Sequence, residues 1–131
     1  MRLVVDASIV VQVLLSGSRL GPLTGHDLIA PPLLRSEVLS SLSEMAYRGA
    51  IPAEAGRTAA QALARFPVRF DRPDDLDMLA WEMAESHGWA KTYDAEYIAL
   101  ARLHDIPLLT IDERLRRGAG DLVAMPAPAE L

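Results

Sequence analysis

The sequence predicts a single α/β domain built on a mainly parallel sheet. Short apolar, β-branched segments (Leu3-Val4-Val5, Leu28-Ile29-Ala30, Val68-Arg69-Phe70 and Leu108-Leu109-Thr110-Ile111) recur along the chain. Longer stretches of helical pattern separate them, and strands joined by helical crossovers run parallel. With 131 residues, half of them hydrophobic, the chain is one domain in size and holds enough apolar material for one core.

Each element has its own signal. Leu3-Val4-Val5 reads as a buried strand running into a polar turn, Asp6-Ala7-Ser8. A helix is expected over 9–15, stopped by Ser16-Gly17-Ser18, and 20–24, with Gly21 and Pro22, reads as a loop. Pro31-Pro32 stops the second strand. Over 33–48, Leu34, Val38, Leu42 and Met45 recur at helical spacing, and Gly49 follows as a C-terminal stop. Pro52, as first helical residue, opens an Ala-rich helix over 52–65. The third strand precedes a helix over 73–87 that ends at Gly88. Thr92 is placed to cap a helix over 94–104. Beyond the fourth strand, a short basic helix over 113–117 ends at Gly118, Leu122-Val123 is a candidate fifth strand, and Pro126 and Pro128 mark a tail.

Composition excludes several chemistries. There is no cysteine, so disulfides, thiolate metal sites and thiol nucleophiles are absent. A net charge of −5 argues against gripping nucleic acid by bulk charge. Of the 13 basic residues only Lys91 is a lysine; the arginines suit bidentate pairing with phosphate or carboxylate. The opening residues do not form a secretory leader, and no window approaches the ~20 apolar residues of a membrane span. The expectation is a soluble, cytoplasmic protein.

The chemistry is carried by acids. In open α/β sheets, ligands bind at the carboxyl ends of the strands. Asp6 follows the first strand and Asp112 ends the fourth, so both face that edge. Asp94 lies in the first turn of a helix that starts there, and Glu37 sits one turn into the helix after the second strand. Four carboxylates from four segments would meet, and such a cluster repels itself unless a cation sits inside it. Hard oxygen ligands select Mg²⁺ or Mn²⁺. Two such ions ~3.5–4 Å apart activate a water and stabilise the leaving oxygen of a phosphodiester. Ser8 and Thr110, two residues from Asp6 and Asp112, are placed to orient a carboxylate.

Taken singly, each acid has a plainer reading. Asp6 and Asp112 suit helix caps, Glu37 a solvated helix position, and Asp94 a partner for the helix dipole. His26, His87 and His104 lack metal-site spacing, and Trp81 and Trp89 suit core or interface. Without metal, at least one acid of the cluster should have a raised pKa, and replacing Asp6 or Asp94 by Asn should relieve the repulsion.

Four segments resemble the PIN-domain nucleases, and more narrowly the VapC-type toxins of toxin–antitoxin pairs: Val4-Val5-Asp6-Ala7-Ser8, Pro32-Leu33-Leu34-Arg35-Ser36-Glu37-Val38-Leu39, Tyr93-Asp94-Ala95-Glu96-Tyr97-Ile98-Ala99-Leu100-Ala101 and Pro107-Leu108-Leu109-Thr110-Ile111-Asp112-Glu113-Arg114-Leu115. They occur in the family's order and span almost the whole chain. The resemblance implies a three-layer α/β/α sandwich with about five strands, occupying residues 1–131 as a single nuclease domain. It places Asp6, Glu37, Asp94 and Asp112 at the family's four acidic positions and Thr110 at its hydroxyl position. It further implies Mg²⁺ or Mn²⁺ dependence, RNA as substrate, a homodimer and a small antitoxin partner. Ser40 departs from the pattern, standing where many relatives carry Asn. Leu34, Leu42, Met45 and the Ala-rich stretch 53–64 are the expected seat for a helix of that antitoxin, with a basic residue reaching the acids.

The alternatives are a PIN domain that processes RNA without being a toxin, and a catalytically silent binding module. A phosphoacceptor receiver domain needs a lysine after its last strand, and Lys91 precedes a helix instead. A haloacid-dehalogenase phosphatase needs a second Asp where this chain has Ser8.

Overall fold

The computed structural model describes residues 1–17 and 20–131. The elements are β1 (Arg2–Val5), α1 (Ala7–Leu15), β2 (Asp27–Ala30), α2 (Leu34–Tyr47), α3 (Ala53–Leu63), β3 (Val68–Phe70), α4 (Leu76–His87), α5 (Tyr93–His104), β4 (Leu108–Leu109) and α6 (Glu113–Ala119). The four strands pair in the order β3-β2-β1-β4, all parallel. Val4 stands opposite Ile29 on one side and Leu108 on the other. This is the expected α/β class, with the helices grouped as α1–α2–α3 and α4–α5 around the sheet.

Strands covered on both faces need no polar alternation, and β1 and β2 have none: Leu3, Val4, Val5, Leu28, Ile29 and Ala30 are all buried. The same logic explains α5. It packs against both α4 and β1, and Ala95 through Ala101, apart from Glu96, lie in the core. Three alanines in that run let the backbone come close to its neighbours.

The expected fifth strand does not form. Leu122 and Val123 lie in a turn and bend, and the segment makes one ladder-like bond, from the Leu108 N–H to the Ala124 carbonyl at 2.9 Å. Pro126, two residues on, has no N–H for the next rung of a parallel ladder. Smaller differences lie at the ends of helices. α1 starts at Ala7 because Asp6 caps it, and residues 21–23 of the expected loop form a 3-10 turn that buries Leu23. Pro52 is the N-cap of α3 rather than its first residue, and α6 runs through Gly118 to Ala119. Thr92 is the N-cap of α5 by backbone position, but its side chain makes no capping bond. Gly49 adopts φ 74° just past the C-cap of α2. Ser18, read as part of the stop after α1, lies outside the described residues. No helix among the described residues is long and apolar enough to cross a membrane.

Candidate active site

β1 and β4 are adjacent parallel strands, so the residues that follow them emerge side by side at one sheet edge. Asp6 follows β1 and turns the chain into α1; its Oδ1 accepts the Ile9 N–H at 3.2 Å. Thr110 and Asp112 follow β4, and Asp112 caps α6 by accepting the N–H groups of Arg114 (2.9 Å) and Leu115 (3.2 Å). The cap readings of both acids are therefore correct, and each carboxylate also borders the cleft.

Ser8 and Thr110 tie this half together. The Ser8 hydroxyl donates to Asp6 Oδ1 at 2.6 Å and accepts the Ile111 N–H at 3.2 Å. The fully buried Thr110 hydroxyl donates to Asp6 Oδ2 and accepts the Asp112 N–H at 3.0 Å. Two relays thus run from backbone N–H through a hydroxyl to one carboxylate.

The other two acids come from helices. Glu37, in the first turn of α2, accepts a hydrogen bond from the Tyr97 hydroxyl at 2.5 Å. Asp94, in the first turn of α5, accepts one from the Arg114 guanidinium at 2.7 Å, and the same group lies 3.4 Å from Asp112 Oδ2. Asp6, Ser8, Glu37, Asp94 and Asp112 line one cleft of about 610 Å³, whose lining also includes Ser40, Lys91, Tyr97 and Arg114. Thr110 sits behind it.

Burial raises the Asp6 pKa above its ordinary value, against the pull of Ser8, Thr110 and the Ile9 N–H, and neighbouring Asp112 adds to the rise. Glu37 is likewise raised, first by burial and then by Asp94, Asp6 and Glu96, with the Tyr97 bond opposing. Burial and the adjacent Glu37 push the Tyr97 phenol far up, so it remains a protonated donor at any ordinary pH. Two acids are raised as expected, but burial rather than mutual repulsion is the larger cause.

The donor chemistry fits a hard divalent cation: carboxylates that burial and mutual repulsion disfavour in their charged form, backed by hydroxyls rather than sulfur or imidazole. In the present arrangement no three acids among the described residues are spaced to share one ion. Asp94 and Asp112 are instead drawn to Arg114.

Sequence reasoning passed over Tyr97 and Arg114. Tyr97 lies three residues after Asp94, one helical turn on, but inside an apolar run that reads as core; it is 1% exposed and yet carries its hydroxyl to Glu37. Arg114 reads as one charge of a basic helix. None of the three histidines lines the cleft; His104 instead pairs with Asp71 at 2.5 Å. Trp81 is 57% exposed on α4, while Trp89 packs against the core.

Residues 3–121 match the PIN domain family. A VapC ribonuclease of Mycobacterium bovis and the ribonuclease VapC9 of Mycobacterium tuberculosis are each 35% identical over 121 residues, 86% of this chain and 87% of theirs. Among solved structures, a Pyrobaculum aerophilum protein superposes with a TM-score of 0.72 at 23% identity, covering 99% of this chain and 91% of its own. The Rickettsia felis VapBC2 structure, a complex bound to promoter DNA, superposes with a TM-score of 0.65 at 12% identity, covering 97% and 98%. At such identities these structures bear on the fold alone, whereas the family match and the curated relatives bear on descent: the chain belongs to the PIN-domain family, together with the VapC ribonucleases.

Proposed function

We propose that this chain is a metal-dependent endoribonuclease, the toxin of a type II toxin–antitoxin pair, acting on RNA in the cytoplasm. The observation that carries the reading is the convergence of Asp6, Glu37, Asp94 and Asp112, from four separate segments, on one cleft at the carboxyl edge of the sheet. The likeness to VapC ribonucleases supplies the substrate class.

In this reading Asp6, Glu37, Asp94 and Asp112 hold Mg²⁺ or Mn²⁺. The ion, when bound, supplies charge for the developing phosphorane and lowers the pKa of water beside the scissile phosphodiester. Asp6, fixed by Ser8 and Thr110, is the preorganised ligand. Glu37 keeps one oxygen for the ion and is bonded through the other. Tyr97 orients Glu37 by donating to that oxygen.

The partner reading needs a correction to its residues. Leu34 is in the core, 0% exposed, and offers nothing to an antitoxin, whereas Leu42, 2% exposed, contributes only to the floor of a groove. What remains open is a groove between α2 and α3 lined by Leu39, Ala46, Ala53, Ala60 and Arg57, which is the proposed seat of an amphipathic antitoxin helix. A homodimer would cover Met78 and Trp81, 61% and 57% exposed one turn apart on α4.

The deciding experiment incubates the protein and its Asp94→Asn variant with mixed RNA, in excess EDTA and in Mg²⁺ or Mn²⁺. Cleavage by wild type only when metal is present, and loss of cleavage in the variant, support the proposal. Wild-type cleavage undiminished by EDTA overturns it.

A further inference from the structure

An arginine in the first turn of a helix opposes the helix dipole, so its place there calls for a compensating partner. Arg114 occupies that position in α6, and its guanidinium turns back to Asp94 Oδ2 at 2.7 Å and Asp112 Oδ2 at 3.4 Å. It is the cation that joins the two halves of the acid cleft, since Asp94 comes from α5 and Asp112 from the end of β4. Lys91 lines the same cleft, yet among the described residues its ammonium forms no ion pair with these acids. The Arg114 side chain is 70% exposed, so it is free to swing outward without unpacking anything.

We infer that Arg114 is a resident counter-ion of the acid cluster, and that a divalent cation reaches Asp94 and Asp112 only by displacing its guanidinium. This rests on the metal-dependent reading above. Such a device has two consequences. With no metal, Arg114 lowers the repulsion that assembling the acids creates. With metal, the same ion pairs must break, so the apparent affinity for the ion is lower than the carboxylates alone would give.

The test is calorimetric titration of MnCl₂ into the full chain, with no RNA present, for wild type, Arg114→Gln, Arg114→Met and Lys91→Gln. Removing a unit charge that competes for the ion's own ligands should tighten Mn²⁺ binding about threefold to fivefold in both Arg114 variants, the scale of an exposed ion pair. Lys91→Gln should change it little. In EDTA the Arg114 variants should melt below wild type, and their Mn²⁺-induced rise in Tm should be larger. Because the side chain is exposed, both should fold, and their cooperative melts will verify it. Equal or weaker Mn²⁺ binding by the Arg114 variants overturns the counter-ion role while leaving the metal site standing. Equal tightening by Lys91→Gln overturns it too, since the effect would then be the general field of the cleft. Mn²⁺ binding by none of the four proteins overturns both the counter-ion role and the metal-dependent reading.

Discussion

The two halves of the cleft are built differently: the strand side presents the buried Asp6, and the helix side the half-buried Glu37 and Asp94. On the strand side, Asp6 accepts from Ser8, Thr110 and the Ile9 N–H, and both hydroxyls are themselves anchored by backbone N–H groups. On the helix side, Glu37 accepts from one phenol, and Asp94 is held by one exposed guanidinium. Burial raises the pKa of Asp6 and of Glu37 alike. The difference is what removing the charge would undo. At Asp6 it would orphan donors that the fold has fixed; at Glu37 it would relieve first the cost of burial and then the repulsion of Asp94, Asp6 and Glu96. One half is a rigid template and the other is held ready for a cation.

The largest effect is expected at the rigid side. Asp6→Ala removes the α1 cap and leaves the Ser8 and Thr110 hydroxyls without their acceptor. The summed cost should be about 3 kcal/mol, from cap loss and unsatisfied buried donors. Urea unfolding reads it as a lower midpoint with unchanged slope; a loss under ~1 kcal/mol would show that the relay does not hold the strand ends.

Tyr97→Phe tests the single phenol bond of the helix side. The phenyl ring still fills the core, so the loss should be about 1 kcal/mol, the net worth of one hydrogen bond. Glu37 would lose its only side-chain donor among the described residues, so its pKa should rise further. A variant whose Glu37 titration, followed by carbonyl NMR, stays at the wild-type position would contradict that positioning role.

The smallest effect is the most discriminating in sign. A glutamine in place of Glu37 can still accept the Tyr97 bond while removing a charge that Asp94 and Asp6 oppose. Glu37→Gln should therefore melt higher than wild type in EDTA. The gain should stay below about 1 kcal/mol, because Glu37 is only half-buried and solvent screens it. The pH dependence follows. A folded pKa raised above the unfolded value gives stability that is present below the unfolded pKa and lost as pH rises through the folded one. Metal-free wild type should thus lose stability as pH climbs from the ordinary carboxylate range through the raised values of Asp6 and Glu37, and Glu37→Gln should flatten part of that decline. The simpler expectation, that Asp6→Asn or Asp94→Asn would also relieve the cluster, does not survive the geometry. Asp6→Asn would set an amide group against donors, and Asp94→Asn would lose the ion pair with Arg114.

Much of this was legible in the sequence, for identifiable reasons. Strands β1 to β4 stand out because apolar, β-branched runs between helical stretches have few other uses, and the strand ends then direct Asp6 and Asp112 to one edge. The fifth strand was not legible, because ladder formation there depends on whether Pro126 falls on a donor position. Leu34 was misread as partner surface because spacing identifies a helix's apolar face without saying what covers it. Tyr97 was hidden by its own burial: the ring belongs to the core and only the hydroxyl belongs to the site. The bond from Arg114 to Asp94 joins segments 20 residues apart, so it appears only once α5 and α6 are set side by side.

The most direct test of a rigid half facing a charge-strained half is a thermal melt of wild type and Glu37→Gln, each in EDTA and in Mn²⁺. Glu37→Gln should melt higher in EDTA, and Mn²⁺ should raise wild type more than the variant, since binding only the folded state stabilises it. A variant that melts lower in EDTA, with no Mn²⁺-induced shift in either protein, would mean that Glu37 is a structural partner of Tyr97 and that the cleft is not waiting for a cation.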